Sequence, residues 1–282
     1  MQWAKLLTFL HTCQKIRVTL WRKIEAMEQK HIIGIIPARY ASTRFPGKPL
    51  AMLGGKPVIE HVYGRAYDVL DGNVIVATDD ERIRKTVENF GGKAVMTSTE
   101  HRSGTDRCYE AYCLNGGNED VVINIQGDEP FVHPSQLREL ISCFEHESTE
   151  IGTLVRPFPQ DGSFQDLQNP NMPKVVVGEQ FRALYFSRSV IPYLRGVDPQ
   201  LWPRQHQYYT HIGLYGYRST VLEQITRLPQ SPLEKAESLE QLRWLENDYH
   251  IRVGVTMHQT IGIDTPQDLE RAELYLNSLS HD

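Results

Sequence analysis

Three basic side chains lie in one loop with no acidic neighbour. The loop PARYASTRFPGKPL, residues 37–50, follows the apolar run HIIGII and contains Arg39, Arg44 and Lys48. No carboxylate occurs anywhere from Gln29 to Ile59. Guanidinium groups bind phosphate oxygens in pairs and an ammonium adds a point charge, so the loop is predicted to bind a polyphosphate. The alternative is a surface loop whose cations are only solvated.

Neither common glycine-rich phosphate motif accounts for this loop. The P-loop pattern requires Ser or Thr after its lysine, but Pro49 follows Lys48 here. The dinucleotide pattern GxGxxG is absent from the chain. The phosphates would therefore be held by a different architecture.

Acidic residues follow two later segments of the chain. NIQGDEP places Asp128 and Glu129 just past an apolar run, and GIDTPQDL contains Asp264. Mg²⁺ prefers oxygen ligands and usually takes one or two carboxylates together with phosphate oxygens. Asp128 is the first candidate ligand. Asp264, considered alone, is explained equally well as an acid beside a helix start, and Glu129 is left out of the metal set.

Two other polar clusters are explained by helix capping. ATDDERI contains Asp79 and Asp80, for which an N-cap role is favoured over a metal pair. HRSGTDR contains Ser103 and Asp106 at capping-box spacing, with Arg107 beside them. Capping therefore explains most of the side chains in both clusters.

The elements that position these residues alternate between strands and helices. Apolar, β-branched runs predict strands at 31–36, 73–78 and 121–126. Helical patterns ended by turn signals lie between them, at 57–70, 80–90 and 103–115. This alternation predicts an α/β fold with a doubly wound, mostly parallel sheet, whose ligand site lies beyond the carboxyl ends of its strands.

The second half of the chain has a different pattern. KVVV, RALYFS and HIGLYGY predict strands of a smaller mixed or antiparallel lobe, placed within 155–220. Residues 231–247 are predicted to form one long helix that begins at Ser-Pro. A last helix should begin after Thr265, with Asp268 completing its capping box.

Composition limits the class of protein. The 282 residues carry a formal charge of −5 with 40% hydrophobic residues, which suits one α/β domain and argues against nucleic-acid binding. The four cysteines form no paired CxxC sets, so neither a zinc site nor a disulfide framework is expected, and a reducing cytoplasmic location fits.

Residues 1–30 read as an extension to a single domain at 31–282. They combine apolar residues at roughly helical spacing with basic ones, which permits an amphipathic helix on an anionic membrane. We favour the alternative, in which the segment is an appendage or the functional chain begins at Met27.

Several motifs together resemble one known family. PARYASTRFPGKPL and GGKPVIEHV are followed in order by GDEP, ALYFSR, HIGLYGYR, SPLEKAESLEQLR and GIDTPQDLERA. This set, spread over about 31–276, resembles the 3-deoxy-manno-octulosonate (Kdo) cytidylyltransferases, or CMP-Kdo synthetases. The resemblance implies a nucleotide-diphospho-sugar transferase-like fold, a homodimer, a Mg²⁺ cofactor and a role in lipopolysaccharide synthesis.

The resemblance also implies roles for individual residues. Asp128 and Asp264 would bind Mg²⁺ and, with Lys48 and Arg44, carry catalysis. The CTP-binding set would be Arg39, Ser42, Arg44, Lys48, Ser103 and Arg107. The Kdo-binding set would be Gln126, Arg188, His211, Tyr215, Glu240 and Gln241.

The expected reaction joins CTP and Kdo to give CMP-Kdo and pyrophosphate. No single general base emerges from the sequence, so activation of the anomeric hydroxyl by the metal is the preferred account. Three alternatives stay open: a cytidylyltransferase for 8-amino-Kdo or a sialic acid, a metal-dependent glycosyltransferase, and a catalytically silent nucleotide or RNA binder.

Overall fold

A nine-stranded, mostly parallel sheet forms the centre of the computed structural model, which describes residues 31–259 and 261–279. The strands, in chain order, are β1 (Ile32–Ala38), β2 (Met52–Leu53), β3 (Lys56–Pro57), β4 (Val74–Thr78), β5 (Ala94–Met96), β6 (Val121–Asn124), β7 (Ile151–Pro157), β8 (Lys174–Val177), β9 (Ala183–Ser187), β10 (Tyr209–Arg218) and β11 (Ile251–Val255). The main path runs β11-β7-β10-β6-β1-β4-β5, with β8 and β9 attached beside β10. Strands β2 and β3 form a separate small hairpin.

Helices cover both faces of this sheet. They are α1 (Val58–Val69), α2 (Glu81–Asn89), α3 (Gly104–Leu114), α4 (Pro134–Ser142), α5 (Phe164–Leu167), α6 (Trp202–Gln205), α7 (Ser219–Thr226), α8 (Pro232–Glu237), α9 (Gln241–Glu246) and α10 (Pro266–Leu279). One core contains buried residues of α1, α2 and α4, and another contains those of α3, α7 and α9. Burial on both faces explains why the central strands are continuous apolar runs rather than alternating ones.

The predicted α/β fold is confirmed. Strand β1 pairs in parallel with β4 on one side and with β6 on the other. The three predicted strands and the three predicted helices of the first half agree with the structure to within two residues at each end. Their carboxyl ends therefore meet at one edge, where a doubly wound sheet places its ligand site.

Strand β10 joins the lobe strands β8 and β9 to the main sheet. It is antiparallel to β6, β7 and β8, and β8 pairs with β9. The three strands predicted for the smaller lobe therefore extend the main sheet instead of forming a sheet of their own. The register of β10 against β7 shifts between Ile212 and Tyr215.

The prediction of one helix over 231–247 is wrong. The segment forms α8 and α9, separated at Ser238, whose φ of 51° is left-handed. Its start is as predicted, because Ser231 and Glu234 form a capping box. The break has a tertiary cause: Arg188 donates to the carbonyl oxygens of Glu237, at 2.6 Å, and Ser238, at 3.2 Å, which an uninterrupted helix would use internally.

The predicted start of the last helix is confirmed. Asp268 accepts from the backbone N–H of Thr265 at 2.9 Å, and Thr265 Oγ1 accepts from that of Asp268 at 3.2 Å. The predictions for residues 1–30 lie outside the described residues. Within the described ranges, none of the helices has the length and apolarity needed to span a bilayer.

Candidate active site

Two adjoining cavities lie at the carboxyl edge of β1 and β6. The larger, of about 690 Å³, is bounded by the basic loop after β1 and by the start of α3. The smaller, of about 360 Å³, is bounded by β10 and by the segment between α8 and α9. Gln126, Asp128 and Asp264 line both cavities, so these side chains form a shared wall.

The larger cavity collects every residue predicted to bind CTP. Its lining includes Arg39, Ser42, Arg44, Lys48, Ser103 and Arg107. The structure adds His101 and Arg102 to the same wall. Neither was predicted, and their place beside Ser103 in HRSGTDR was the sequence signal for them. Basic side chains therefore dominate the lining of this cavity, in which Asp128 and Asp264 are the acidic residues.

Lys48 lies between the two predicted metal ligands. Its Nζ donates to Asp128 Oδ2 and, at 3.1 Å, to Asp264 Oδ1. Arg44 Nη2 lies 3.1 Å from the other oxygen of Asp264. Burial alone would lower the pKa of Lys48, but the charges and hydrogen bonds of both aspartates outweigh burial and raise it.

Two carboxylates that converge on one ammonium can also converge on a divalent cation. Asp128 and Asp264 come from loops more than a hundred residues apart, yet both reach the same positive charge. Among the described residues, no group of three or more His, Cys, Asp and Glu side chains is arranged to hold a metal. Mg²⁺ sites in nucleotide enzymes commonly combine one or two carboxylates with substrate phosphates, and this donor set fits that pattern.

Capping and pairing account for the polar residues around α2 and α3. Asp80 caps α2, and Ser103 caps α3 by accepting from the backbone N–H of Asp106 at 3.1 Å. Arg107 is almost fully buried and donates to Thr97 Oγ1 and Asp79 Oδ2, both at 2.6 Å. The capping predictions are therefore confirmed for Asp80 and Ser103, whereas Asp79 orients Arg107 at the cavity wall.

The smaller cavity collects five of the six residues predicted to bind Kdo. They are Gln126, His211, Tyr215, Glu240 and Gln241. The structure does not bring Arg188 into this cavity. Its guanidinium donates to three backbone carbonyls, those of Pro170, Glu237 and Ser238, and thereby supports the wall from behind.

Glu240 lines the smaller cavity and is hydrogen-bonded to the start of α3, which borders the larger cavity. Its carboxylate accepts from Thr105 Oγ1 at 2.8 Å and from Arg243 Nη2 at 2.6 Å. Burial raises the pKa of Glu240, against the opposing effects of Thr105 and Arg243. Thr105 and Arg243 therefore hold this carboxylate in place, and neither was predicted from the sequence.

Two further lining residues have buried polar groups. Burial lowers the pKa of His211 to about 3, so its imidazole is neutral. Glu129, left out of the predicted site, has a pKa raised to about 8 by burial and by the charges of Asp128 and Asp264. Its Oε2 is buried and has no hydrogen-bond partner among the described residues. Its place beside Asp128 was the only sequence signal for it.

This arrangement suits a reaction between two anionic molecules. One cavity offers cations to a polyphosphate, and the other offers directional donors and acceptors of the kind that bind a polyol. The carboxylates of the shared wall lie where the two molecules would meet. Charge neutralisation is needed most at that junction.

Comparisons with known proteins identify close relatives. A family model described as cytidylyltransferase matches residues 33–252. The 3-deoxy-manno-octulosonate cytidylyltransferase of Phocaeicola vulgatus is 63% identical over 244 residues, which cover 86% of this chain and 96% of that protein. The Bacteroides thetaiotaomicron enzyme of the same name is 62% identical over 248 residues, which cover 88% and 99%.

A solved structure is also similar over most of the chain. It is that of a CMP:2-keto-3-deoxy-manno-octonic acid synthetase complexed with CTP, with a TM-score of 0.79 and 40% sequence identity. The match covers 88% of this chain and 99% of the other.

Proposed function

Because the chain belongs to the 3-deoxy-manno-octulosonate cytidylyltransferase family, we propose that its two adjoining cavities hold CTP and Kdo while CMP is transferred. The chain is a nucleotidyltransferase with CMP-Kdo synthetase activity, which activates Kdo with CTP. What is proposed is the assignment of residues, metal and partner chain to that activity.

The larger cavity is assigned to CTP. Arg39, Ser42, Arg44 and Lys48 would hold the triphosphate, and Ser103 and Arg107 would lie against the remainder of the nucleotide. The position of these residues around one cavity supports the assignment, as does the CTP bound in the solved relative. Their positive charge would also stabilise the pyrophosphate that leaves.

The smaller cavity is assigned to Kdo. Gln126, His211, Tyr215, Glu240 and Gln241 supply donors and acceptors around its wall. Arg188, predicted to contact the sugar, is reassigned to the support of this wall because its donors are used by backbone carbonyls. A homodimer formed through residues 155–220 is part of the same proposal.

The family's chemistry commonly depends on a divalent metal, and Asp128 and Asp264 would hold it as Mg²⁺. When bound, Mg²⁺ supplies charge neutralisation at the phosphate under attack and makes a nearby hydroxyl easier to ionise. The convergence of both carboxylates on the ammonium of Lys48 supports this assignment.

The protein's own contribution to the reaction is positioning. The anomeric oxygen of Kdo forms a bond to the α-phosphorus of CTP while the bond from that phosphorus to the pyrophosphate oxygen breaks. The hydroxyl proton is released to solvent as the bond forms. The residues of the shared wall place the two reactants side by side, which converts a bimolecular encounter into a reaction within one complex.

The shared wall of Gln126, Asp128 and Asp264 is the observation that carries this proposal, and pyrophosphate release tests it. Wild-type protein should release pyrophosphate from CTP only with Kdo and Mg²⁺. Asp128→Asn should lower turnover about 100-fold, by analogy with the removal of one electrostatic stabiliser. The exposed Asp161→Asn is the matched control and should leave turnover unchanged.

The result that would overturn the assignment is near-normal turnover in Asp128→Asn. A substrate panel with 8-amino-Kdo and a sialic acid separates the closest alternatives, because each differs from Kdo in its polar substituents.

A further inference from the structure

The hydroxyl of Thr153 lies between the imidazole of His211 and two backbone carbonyls. Thr153 is fully buried in β7. Its Oγ1 lies 3.0 Å from His211 Nε2, 2.9 Å from the carbonyl oxygen of Leu214 and 3.3 Å from that of Ile212. These three partners lie on β10, around the point where its register against β7 shifts.

The direction of these hydrogen bonds follows from the chemistry of the partners. A threonine hydroxyl has one proton to donate, and a carbonyl oxygen can only accept. An imidazole nitrogen can do either, depending on the tautomer. In the arrangement that uses both capacities of the hydroxyl, Thr153 donates its proton to the nearer carbonyl oxygen, that of Leu214, and accepts from the Nε2–H of His211.

This direction determines what His211 presents to the cavity. With the proton on Nε2, the Nδ1 atom carries a free lone pair. Within the described part of the chain, the ring of His211 makes no other hydrogen bond. Burial keeps the ring neutral, with a pKa lowered to about 3, and Phe186 packs edge-on against it at 5.2 Å between ring centroids.

We propose that Thr153 is a positioning residue that fixes His211 in its Nε2–H form, so that Nδ1 accepts a hydrogen bond from a hydroxyl of the sugar acid. The inference rests on the proposed function for the identity of the sugar. An acceptor nitrogen distinguishes between the groups of such a molecule, because a hydroxyl can donate to it and an ionised carboxylate cannot. His211 therefore binds a hydroxyl of Kdo, and the carboxylate lies elsewhere.

The tautomer can be measured without substrate. Nitrogen-15 NMR of the full chain with labelled histidine distinguishes a protonated from an unprotonated ring nitrogen, and loss of the signal in His211→Gln assigns it. Wild-type protein should show protonated Nε2 and unprotonated Nδ1 at neutral pH. A protonated Nδ1 would overturn the proposal, whatever the activity of the protein.

Two substitutions test the role of the hydroxyl. Thr153→Val keeps the shape of the side chain but removes Oγ1, so the tautomers should mix. The KM for Kdo should rise about fivefold, which corresponds to the loss of one neutral hydrogen bond, while the KM for CTP stays the same. Thr153→Ser keeps the hydroxyl and should restore both the spectrum and the KM.

Thr149→Val is the matched control. Thr149 is also a buried threonine, and its hydroxyl donates to the carbonyl of Cys143 at 2.6 Å, but it does not contact His211. An equal rise in KM for Kdo in this variant would reduce the role of Thr153 to general stability. A wild-type spectrum and KM in Thr153→Val would also contradict the proposal.

Failure of the proposed function has a different signature. If wild-type protein released no pyrophosphate from CTP and Kdo, the assignment of Kdo to the smaller cavity would be wrong. The tautomer of His211 could still be measured by NMR. If pyrophosphate is released, single-deoxy analogues of Kdo identify the hydroxyl concerned. Wild-type protein should lose affinity for one analogue about fivefold, and Thr153→Val should lose no further affinity for that analogue.

Discussion

At the scale of single residues, one role of Lys48 is observed and another is proposed. Its ammonium forms ion pairs with Asp128 and Asp264, and we propose that it also binds the triphosphate of CTP. The two aspartates need a positive partner because two like charges in a partly buried site repel each other. Lys48 provides this positive partner.

The first prediction concerns metal binding without nucleotide. Lys48→Met removes the competing cation, so the free protein should bind Mn²⁺, used as a probe for Mg²⁺, more tightly than wild type. We expect a roughly tenfold lower Kd, equivalent to about 1.4 kcal/mol, measured by electron paramagnetic resonance of free Mn²⁺. Lys56→Met, which removes an exposed lysine paired with Glu60, is the control. Unchanged or weaker Mn²⁺ binding in Lys48→Met would contradict the shared-charge interpretation.

The second prediction concerns the support of Glu240 by Arg243. Burial raises the pKa of Glu240, and Arg243 opposes that rise. In Arg243→Met the pKa should rise further, so Glu240 becomes protonated at a higher pH as the solution is acidified. The KM for Kdo should therefore begin to increase at a higher pH than in wild type, while the KM for CTP is unaffected.

Pyrophosphate release measured across a pH series checks this shift. The exposed Arg227→Met, which removes an ion pair with Glu223, serves as the control. If both arginine variants have the pH profile of wild type, Arg243 does not act through Glu240.

Site residues that belong to local motifs could be predicted from the sequence, whereas residues that support the site through contacts with distant strands could not. Lys48 and Asp128 were found because a basic loop and an acidic turn each follow a strand. Thr153 lies in the apolar run IGTLVRP and looks like an ordinary strand residue. Its role depends on a register shift in another strand, which only the folded sheet reveals.

At the scale of elements, the break between α8 and α9 shows how tertiary contacts override a helical pattern. Leu239, Leu242 and Leu245 have helical spacing, which favoured one helix. The break frees backbone carbonyls, and Arg188, which directly follows β9, donates hydrogen bonds to them. A local pattern could not reveal this, because the donor is remote in sequence. The break places Glu240 and Gln241 at the cavity wall.

The third prediction tests the reassignment of Arg188. Arg188→Met leaves carbonyls at the end of α8 without donors, so the free energy of unfolding should fall by about 1–3 kcal/mol. Urea unfolding measures the change, with the exposed Arg195→Met as the control. Unaltered stability together with a large rise in the KM for Kdo would instead support the direct sugar contact predicted from the resemblance.

The fourth prediction concerns α4, whose N-cap is a histidine. His133 accepts from the backbone N–H of Ser135 and stacks on His258, with ring centroids 3.7 Å apart. Burial, followed by the neighbouring charge of His258, lowers the pKa of His133. The unfolded chain therefore binds more protons below the ordinary histidine pKa of 6.5, and stability should fall as the pH drops from 7 to 5.

His133→Asn tests this contribution. Asparagine keeps a good N-cap acceptor but does not titrate, so the loss of stability between pH 7 and 5 should be smaller than in wild type. Thermal unfolding at several pH values measures the slope. The exposed His250→Asn should retain the wild-type slope, and an unchanged slope in His133→Asn would exclude His133 as its source.

At the scale of the whole molecule, the layers of sheet and helix could be predicted from the sequence better than the order of the strands within the sheet. Buried, β-branched runs separated by helices indicate a sheet covered by helices on both faces, and a doubly wound sheet is one such arrangement. The sequence did not show that the lobe strands would join the main sheet through β10. Strand order depends on contacts between distant segments, and the pattern of each strand alone does not encode them.

The fifth prediction concerns the proposed homodimer. Leu184 lies in β9 and is 55% exposed, and Phe181 and Tyr193 nearby in the chain are exposed as well. Leu184→Glu introduces a charge there and should shift the protein from dimer to monomer. Sedimentation velocity over a range of concentrations measures the state. Leu114→Glu, at a leucine of similar exposure on α3, should stay dimeric, and a monomeric wild-type protein would rule out the dimer.

Strand β10 places a mechanical constraint on how substrates enter. It is hydrogen-bonded to β6, β7 and β8 and carries His211 and Tyr215. Despite its register shift, β10 is paired along both edges, so movement of the lobe as a separate rigid body would break hydrogen bonds of the sheet. Substrates of different size would then be accommodated by the loops at the carboxyl edge of the sheet. Variants that broaden the range of accepted sugars should accordingly be found in loops, while the strand keeps the spacing between the two cavities constant.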